Sequence, residues 1–396
     1  MSNKKKGVCL LVLPEQGDAY GNLNHHYEML AKEFSLDYNT QAIRISDPSL
    51  LIYLYETGKS PENIIIYGWF GYDIKAHGQN IKSIINIADN LKCKQIAYID
   101  DHPYAEFMIP RLSSISEKIH LIINTVDYGT DQENELLKIY GIKNTVSKTP
   151  LPKDSEYIFE AKNQRNLDFL IPLSPTEYFN FEDFENEFLK HPTFKKIYDY
   201  MNFKLSLSYN RFDLFHEFEN AIKEILHAEF SNLDINSKNM SLKYIHRYDY
   251  FVRKNRRIGA IKTIFSLPNI TVQLPKIPPE LANTKFQSNI QEIGLLPYKI
   301  LLERMHNSRF ILNVNPTGPY GIHPRIFDGM YSKCGIVSNI NLALEPNKNL
   351  FFDLENPDLG KELIDNELYE NKINSYQKFL DKFSFSKFKK YIEDLN

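Results

Sequence analysis

The chain has 396 residues, 42% of them hydrophobic, which is enough to build two cores. Lys and Arg total 47 against 50 Asp and Glu, for a net charge of −3; no global positive charge argues for wrapping nucleic acid or lying on an anionic membrane, although a local basic patch can still hold one anion. With 25 Tyr and 26 Phe, the composition excludes a disordered chain.

The first segment, MSNKKKGVCLLVLPEQGD, begins like a signal peptide, but the apolar run covers only 8–13, and Pro14, Glu15 and Asp18 follow. A first buried strand is expected there instead. Cys9, Cys93 and Cys334 form no close pair, so reduced core thiols are expected rather than disulfides or zinc ligands. No run approaches the roughly 18 apolar residues of a membrane span. These points suggest a cytoplasmic protein, with peripheral attachment at the inner membrane left open.

Short apolar runs follow at 41–45, 63–67, 95–99 and 120–124, with helical patterns at 22–34 and 78–91 between some of them. Continuous apolar runs suit parallel strands covered on both faces, and their alternation with helices predicts a doubly wound sheet. Pro150, Pro152 and a charged stretch to Arg165 read as a linker, giving a first domain over 1–155 and a second over 166–396. In the second, a strand is expected at 167–171, a mostly helical segment at 177–265 and a strand at 271–274. A helix from Pro297, a strand at 310–314, a helix at 324–332 and strands at 335–338 and 350–353 follow. Helices at 358–381 and 387–395 close the chain and are free to pack back on the first domain. The expected architecture is α/β, with two Rossmann-like doubly wound domains facing a central cleft, and ligands beyond the carboxyl ends of the strands.

The segment 309–339, RFILNVNPTGPYGIHPRIFDGMYSKCGIVSN, reads strand, Gly/Pro loop, helix start, strand. Its loop carries Asn315, Gly318 and Gly321, whose glycines let the backbone approach a ligand closely. The helix opening at His323–Pro324 offers backbone N–H groups and the positive end of its dipole to a phosphate. Arg325 suits a diphosphate through paired hydrogen bonds, and Asp328, one turn on, suits sugar hydroxyls. The i, i+3 spacing of Arg325 and Asp328 equally fits a plain surface ion pair.

This segment resembles the C-terminal signature of GT-B-fold glycosyltransferases of the broad group-one class, in the CgeB-like (spore-maturation-protein-like) branch. The matching features are the strand ILNVN ending at Asn315, the loop from Gly318 to Gly321, RIFD ending at Asp328, KCG ending at Gly335, and Ile336-Val337. The likeness covers about 297–340, weakens towards the end, and extends to an Arg-rich helix at 244–264. It implies a bacterial enzyme moving a sugar from a nucleotide-sugar donor, with no cofactor and no metal. The acceptor it implies is a glycan, a lipid-linked glycan or a protein. In relatives the acid at the place of Asp328 contacts the donor ribose, and the preceding loop holds diphosphate and sugar. Tyr320 stands where many relatives carry a first Glu, which leaves a non-catalytic binding protein or a nucleotide-sugar epimerase or hydrolase as alternatives.

Between Lys243 and Lys262, seven basic residues face one acid, Asp249. A solvated helix face is the plain reading. Arg256 and Arg257 are the candidates for donor phosphate contact. Interleaved Tyr244, Tyr248, Tyr250 and Phe251 invite a nucleic-acid reading, which the near-neutral chain argues against; no nucleic-acid partner is expected. In the first half, His25 after the loop 14–24 and Asp101 in YIDDHPY at 98–104 are the candidate bases for an acceptor hydroxyl. The first domain would then present the acceptor across the cleft, with closure excluding water.

Overall fold

A computed structural model describes residues 5–13, 22–44, 63–67, 91–99, 115–123, 140–149, 167–173, 180–207, 212–315, 322–341 and 344–395, with Tyr53, 56–58, Leu112, Pro152 and Arg165 between them. The chain forms two units: Met1–Asp154 joined by Phe383–Asn396, and Ser155–Lys382.

The first unit holds strands β1 (Val8–Leu13), β2 (Asn39–Arg44), β3 (Ile64–Tyr67), β4 (Lys94–Ile99), β5 (His120–Ile123) and β6 (Val146–Lys148), with helix α1 (Asn22–Phe34). They form one parallel sheet in the order β2-β1-β3-β4-β5-β6. Alternate side chains of each strand enter opposite cores, which is why the interior strands read as unbroken apolar runs. Leu10, Val12, Ile65, Ala97 and Leu121 face one way. Cys9, Leu11, Ile64, Ile66, Ile96 and Ile122 face the other, beneath Tyr27, Leu30 and Phe34 of α1. The last helix of the chain, named α9 below (Phe385–Asp394), completes this second core with Phe385, Phe388 and Ile392. Lys389 fastens it by hydrogen-bonding Asp37 (2.6 Å), and Lys94 donates to the carbonyls of Ile392 and Glu393 at its C-terminal end, where a cation complements the helix dipole.

The second unit holds β7 (Leu167–Leu170), β8 (Thr271–Leu274), β9 (Asn289–Glu292), β10 (Ser308–Asn313), β11 (Gly335–Ser338) and β12 (Phe352–Asp353). These also form one parallel sheet, in the order β12-β11-β10-β7-β8-β9. Counted within the unit this is the 3-2-1-4-5-6 order of dinucleotide-binding folds read from the other edge, and its direction reverses between β7 and β10. Arg165, read from sequence as linker charge, closes that switch point from below. Its guanidinium donates to the carbonyls of His306 (2.8 Å), Ser308 (2.6 Å) and Lys333 (2.6 Å).

Between β7 and β8 lies the helical segment. It consists of a helical turn at Phe181–Phe184 running into a π turn at Glu185–Leu189, then α2 (Pro192–Leu207), α3 (Leu214–Leu226) and α4 (Ile235–Phe265). Asp213 caps α3 by accepting from His216 N–H, and Asp234 caps α4 by accepting from the N–H groups of Asn236 and Ser237, as short acidic side chains do at helix starts. The aromatic residues pack on one another: Tyr244 lies stacked on Phe194 (5.1 Å between ring centres), with Phe184, Phe188, Phe218 and Tyr248 around it. Helices α5 (Tyr298–Asn307), α6 (Pro324–Tyr331), α7 (Leu359–Ile364) and α8 (Asn366–Leu380) complete the unit. No helix among the described residues is long and apolar enough to cross a membrane.

Candidate functional site

At the carboxyl end of β10, beside the switch point, a polar network joins two strands. Asn315 is buried, and every polar atom of its side chain is used. Its Nδ2 donates to Ser338 Oγ (3.1 Å) and Asn339 O (2.7 Å), while its Oδ1 accepts from Asn313 Nδ2 (3.0 Å). Its backbone N–H donates to Asn339 Oδ1 (2.8 Å). This side chain therefore pins the ends of β10 and β11 together. Gly318, Tyr320 and Gly321 lie outside the described residues.

The chain returns at Ile322 and enters α6. His323 is its N-cap: His323 Nδ1 accepts from the Arg325 N–H (3.1 Å), so the ring proton sits on Nε2, a donor. The Ile326 N–H bonds back to His323 O (2.9 Å), and Pro324 has no N–H. The opening amides of α6 are thus already partnered, which corrects the expectation that this helix end presents bare N–H groups to a phosphate. Positive charge at the site comes instead from guanidinium groups.

Arg325 and Asp328 are 9% and 6% exposed, so they are no surface ion pair. Arg325 Nη1 donates to Asn313 Oδ1 (3.3 Å), at the tip of β10. Asp328 Oδ1 accepts from the hydroxyl of Tyr298 (2.7 Å), in the first turn of α5. Burial, then the nearby Arg257 charge, push the Arg325 guanidinium down to about 9, with Asp328 pulling the other way. It remains charged at neutral pH, held in a place where water cannot solvate it well.

Arg257 comes from α4, the long basic helix. That helix is not the solvated face the charge run suggested. Tyr244, Tyr248 and Val252 are wholly buried, Arg256 is buried beside them, and so is Asp249. Arg253 forms an ion pair with Asp249, Nε lying 2.6 Å from Oδ2. Burial raises the Asp249 carboxyl, while Arg253, Arg256 and Arg257 lower it. Burial and the Arg253 charge push Arg257 down. Farther along, burial together with Arg253 and Arg247 pushes His246 down to about 4, so this ring is neutral at physiological pH. Arg253, Arg256 and Arg257 of α4 act on Asp249, and Arg257 and Asp328 act on Arg325, so the site gathers guanidinium groups of the kind that recognise a phosphate. Sequence reasoning named Arg256, Arg257 and Arg325 but not Tyr298, Asn313, Ser338 or Asn339. Only the last three carry a detectable signal, polar residues closing apolar strands.

In the first unit, His25 is half-buried on α1. The adjacent His26 is buried against Phe385 (5.2 Å between ring centres) and belongs to the core under α9. Asp101 lies outside the described residues. No group of three or more His, Cys, Asp or Glu side chains suited to a metal ion occurs among the described residues.

No family model and no curated protein matches this chain. Solved structures do. The fold is similar to an alpha-glucosyltransferase in complex with UDP (TM-score 0.54, 11% identity, 98% of each chain covered). It is similar to an alpha-glucosyltransferase in complex with UDP-glucose and DNA containing an abasic site (TM-score 0.53, 12% identity, 98% of each chain). A DNA-modifying beta-glucosyltransferase matches at TM-score 0.52 and 10% identity, over 98% of this chain and 100% of that one. The two parallel sheets and these neighbours define the GT-B class of fold, two Rossmann-like units. They also overturn the expectation of no nucleic-acid partner, because proteins of this fold are solved with DNA bound. A chain at −3 still concentrates guanidinium groups locally, and association depends on the local field rather than on the whole-chain charge.

Proposed function

We propose that this chain is a glycosyltransferase that takes a sugar from a uridine diphosphate sugar bound in its second unit. The observation that supports this most is the burial of Arg325 beside the Arg257 charge at a Rossmann switch point. Holding like charges away from water costs about several kcal/mol per ion unless an anion joins them. A diphosphate supplies that anion, and the neighbouring Asp328 carboxylate supplies an acceptor for ribose hydroxyls. The CgeB-like signature around Arg325 and Asp328 agrees with these roles, with His323 and Arg256 as further donor-side contacts. Asn315 acts here by fixing the end of β10, next in sequence to Gly318 and Gly321.

In the reaction, the bond between the anomeric carbon and the diphosphate oxygen breaks, and the electron pair leaves with the diphosphate. The guanidinium groups stabilise that developing charge. An acceptor hydroxyl oxygen forms the new bond to the anomeric carbon, and its proton passes to a base, for which His25 and Asp101 are the candidates. Charge neutralisation by arginine removes the need for a metal, and no cofactor enters this scheme. The three free cysteines suit a reducing, cytoplasmic location. Among acceptors, DNA bearing a hydroxyl now stands beside glycan, lipid-linked glycan and protein.

The test is direct. The full chain is incubated with UDP-glucose and, in parallel, with 13-mer DNA containing an HMU base, glycan, lipid-linked and protein acceptors. UDP release and acceptor mass are followed. Acceptor-dependent UDP release with a hexose mass increment supports the reading. UDP binding without release under any acceptor would instead favour the non-catalytic alternative, and no binding of UDP at all would sink both.

A further inference from the structure

Tyr298 opens α5 and Asp328 lies in the second turn of α6, and both side chains are buried. Their contact, hydroxyl to carboxylate at 2.7 Å, has the length of a charge-assisted hydrogen bond. A carboxylate on its own rotates about its last torsion through a broad range. Tied through Oδ1 to a tyrosine that is itself packed into α5, it is held at a fixed angle to α6 and to the guanidinium three residues before it. A carboxylate offers about four lone-pair directions over its two oxygens, and the tyrosine takes one of them on Oδ1.

We propose that Tyr298 is the positioning residue that makes this site selective for a ribose over a deoxygenated sugar in the nucleotide. This rests on the donor reading of Asp328 given above and names how that carboxylate discriminates. A buried carboxylate of fixed direction rewards a nucleotide whose sugar hydroxyls meet it and penalises one that leaves it without them. A hydrogen bond to a charged group of this kind corresponds to about ten- to a hundredfold in affinity. Without the tyrosine hydroxyl the carboxylate loses the 2.7 Å contact on Oδ1, and the discrimination falls while the diphosphate contacts stay.

The experiment is calorimetric titration of UDP and 2′,3′-dideoxy-UDP into the full-length wild type, Tyr298→Phe, Asp328→Asn and the double variant. In the wild type, UDP is expected to bind about ten- to a hundredfold more tightly than the dideoxy form. Tyr298→Phe should lower that ratio several-fold by weakening UDP alone, leaving the dideoxy affinity in place. Asp328→Asn keeps an acceptor for the tyrosine and tests the same link from the other side. The double variant should lose no more discrimination than Asp328→Asn alone, since the two residues act as one unit. A wild-type ratio of one, or a ratio unchanged in Tyr298→Phe, overturns the inference while the donor site stands. Failure of the wild type to bind UDP removes the donor site itself.

Discussion

Burial and the charge of Arg257 on α4 depress the proton affinity of Arg325 on α6, and Asp328 opposes them. The helical segment between β7 and β8 therefore serves the Rossmann sheet directly, delivering positive charge from α4 to the carboxyl end of β10. A fold optimised for stability alone would not bury the Arg325 guanidinium beside a second, half-buried one. Their arrangement makes sense as one waiting for an anion.

Arg257→Met keeps much of the packing and removes one of the opposed charges. The free protein is expected to melt at the same temperature or slightly higher, because repulsion on Arg325 is relieved. Affinity for UDP should fall about ten- to a hundredfold, the range for a charge-assisted contact, with uridine affinity unchanged. Arg325→Ala should show the same affinity loss. Calorimetric titration and thermal melts of both variants check this; unchanged UDP affinity in two folded variants would remove the anion site.

His246 provides a pH dependence of known sign. Its folded value is pushed down to about 4 by burial, Arg253 and Arg247, while an unfolded histidine titrates near 6.5. Between these values the unfolded chain binds the proton and the folded one does not. The stability His246 supports is therefore fully present above about 6.5, is lost as pH falls, and levels off below about 4. His246→Phe, which keeps the ring against Tyr250 (4.7 Å between ring centres), should make denaturant midpoints less steep with pH across that window, by at most one proton. Identical slopes in wild type and variant would show that His246 does not contribute.

Gly335 opens β11 with Phe310 and Tyr369 pressed against its backbone. A Cβ there would lie 2.6 Å from Phe310 Cδ1 and 3.0 Å from Tyr369 Cε2. Phe310 is itself fixed by stacking on Phe169 and by an edge contact with Phe352, so it has little room to retreat. Gly335→Ala is expected to cost about 1–3 kcal/mol, as overpacking does, seen as a lower urea midpoint. An unshifted midpoint would mean that the ring cluster gives way.

Interior strands such as Ile64–Tyr67 and His120–Ile123 were legible because both faces are covered and the run is therefore unbroken. The two strands not anticipated, Val146–Lys148 and Asn289–Glu292, each lie at the edge of a sheet. An edge strand faces solvent, so its composition carries little apolar signal. The aromatic stretch after 177 shows no clean helical period for another reason. A π turn at Glu185–Leu189 breaks the 3.6-residue period on which such a reading depends, and the aromatic residues enter one shared cluster from several helices. At the site, the charged residues were legible, and their partners were not. Nothing in the neighbourhood of Tyr298 announces that its hydroxyl meets a carboxylate on another helix, and Asn315 reads equally well as ligand contact or as structural pin.

Asn315→Ala separates those two roles. As a pin, Asn315 satisfies Ser338 Oγ, the Asn339 carbonyl and Asn313 Nδ2 in a buried place. Truncation takes one hydrogen bond from each of these groups, which stay linked to one another through Asn313 Nδ2 to Ser338 Oγ and Ser338 Oγ to Asn339 O (3.0 Å each), and each lost bond costs about 0.5–1.5 kcal/mol. The melting temperature should fall clearly. Asn313 also accepts from Arg325, so some loss of UDP affinity is expected through a looser strand end, smaller than that of Arg325→Ala. Asn315→Asp should be at least as harmful, because it places a carboxylate oxygen against the Asn339 carbonyl where Nδ2 now donates. A ligand contact would behave in the opposite way: affinity would drop as far as in Arg325→Ala and the melting temperature would hold. Thermal melts and UDP titrations on the alanine, aspartate and Arg325→Ala variants, made side by side, decide between them.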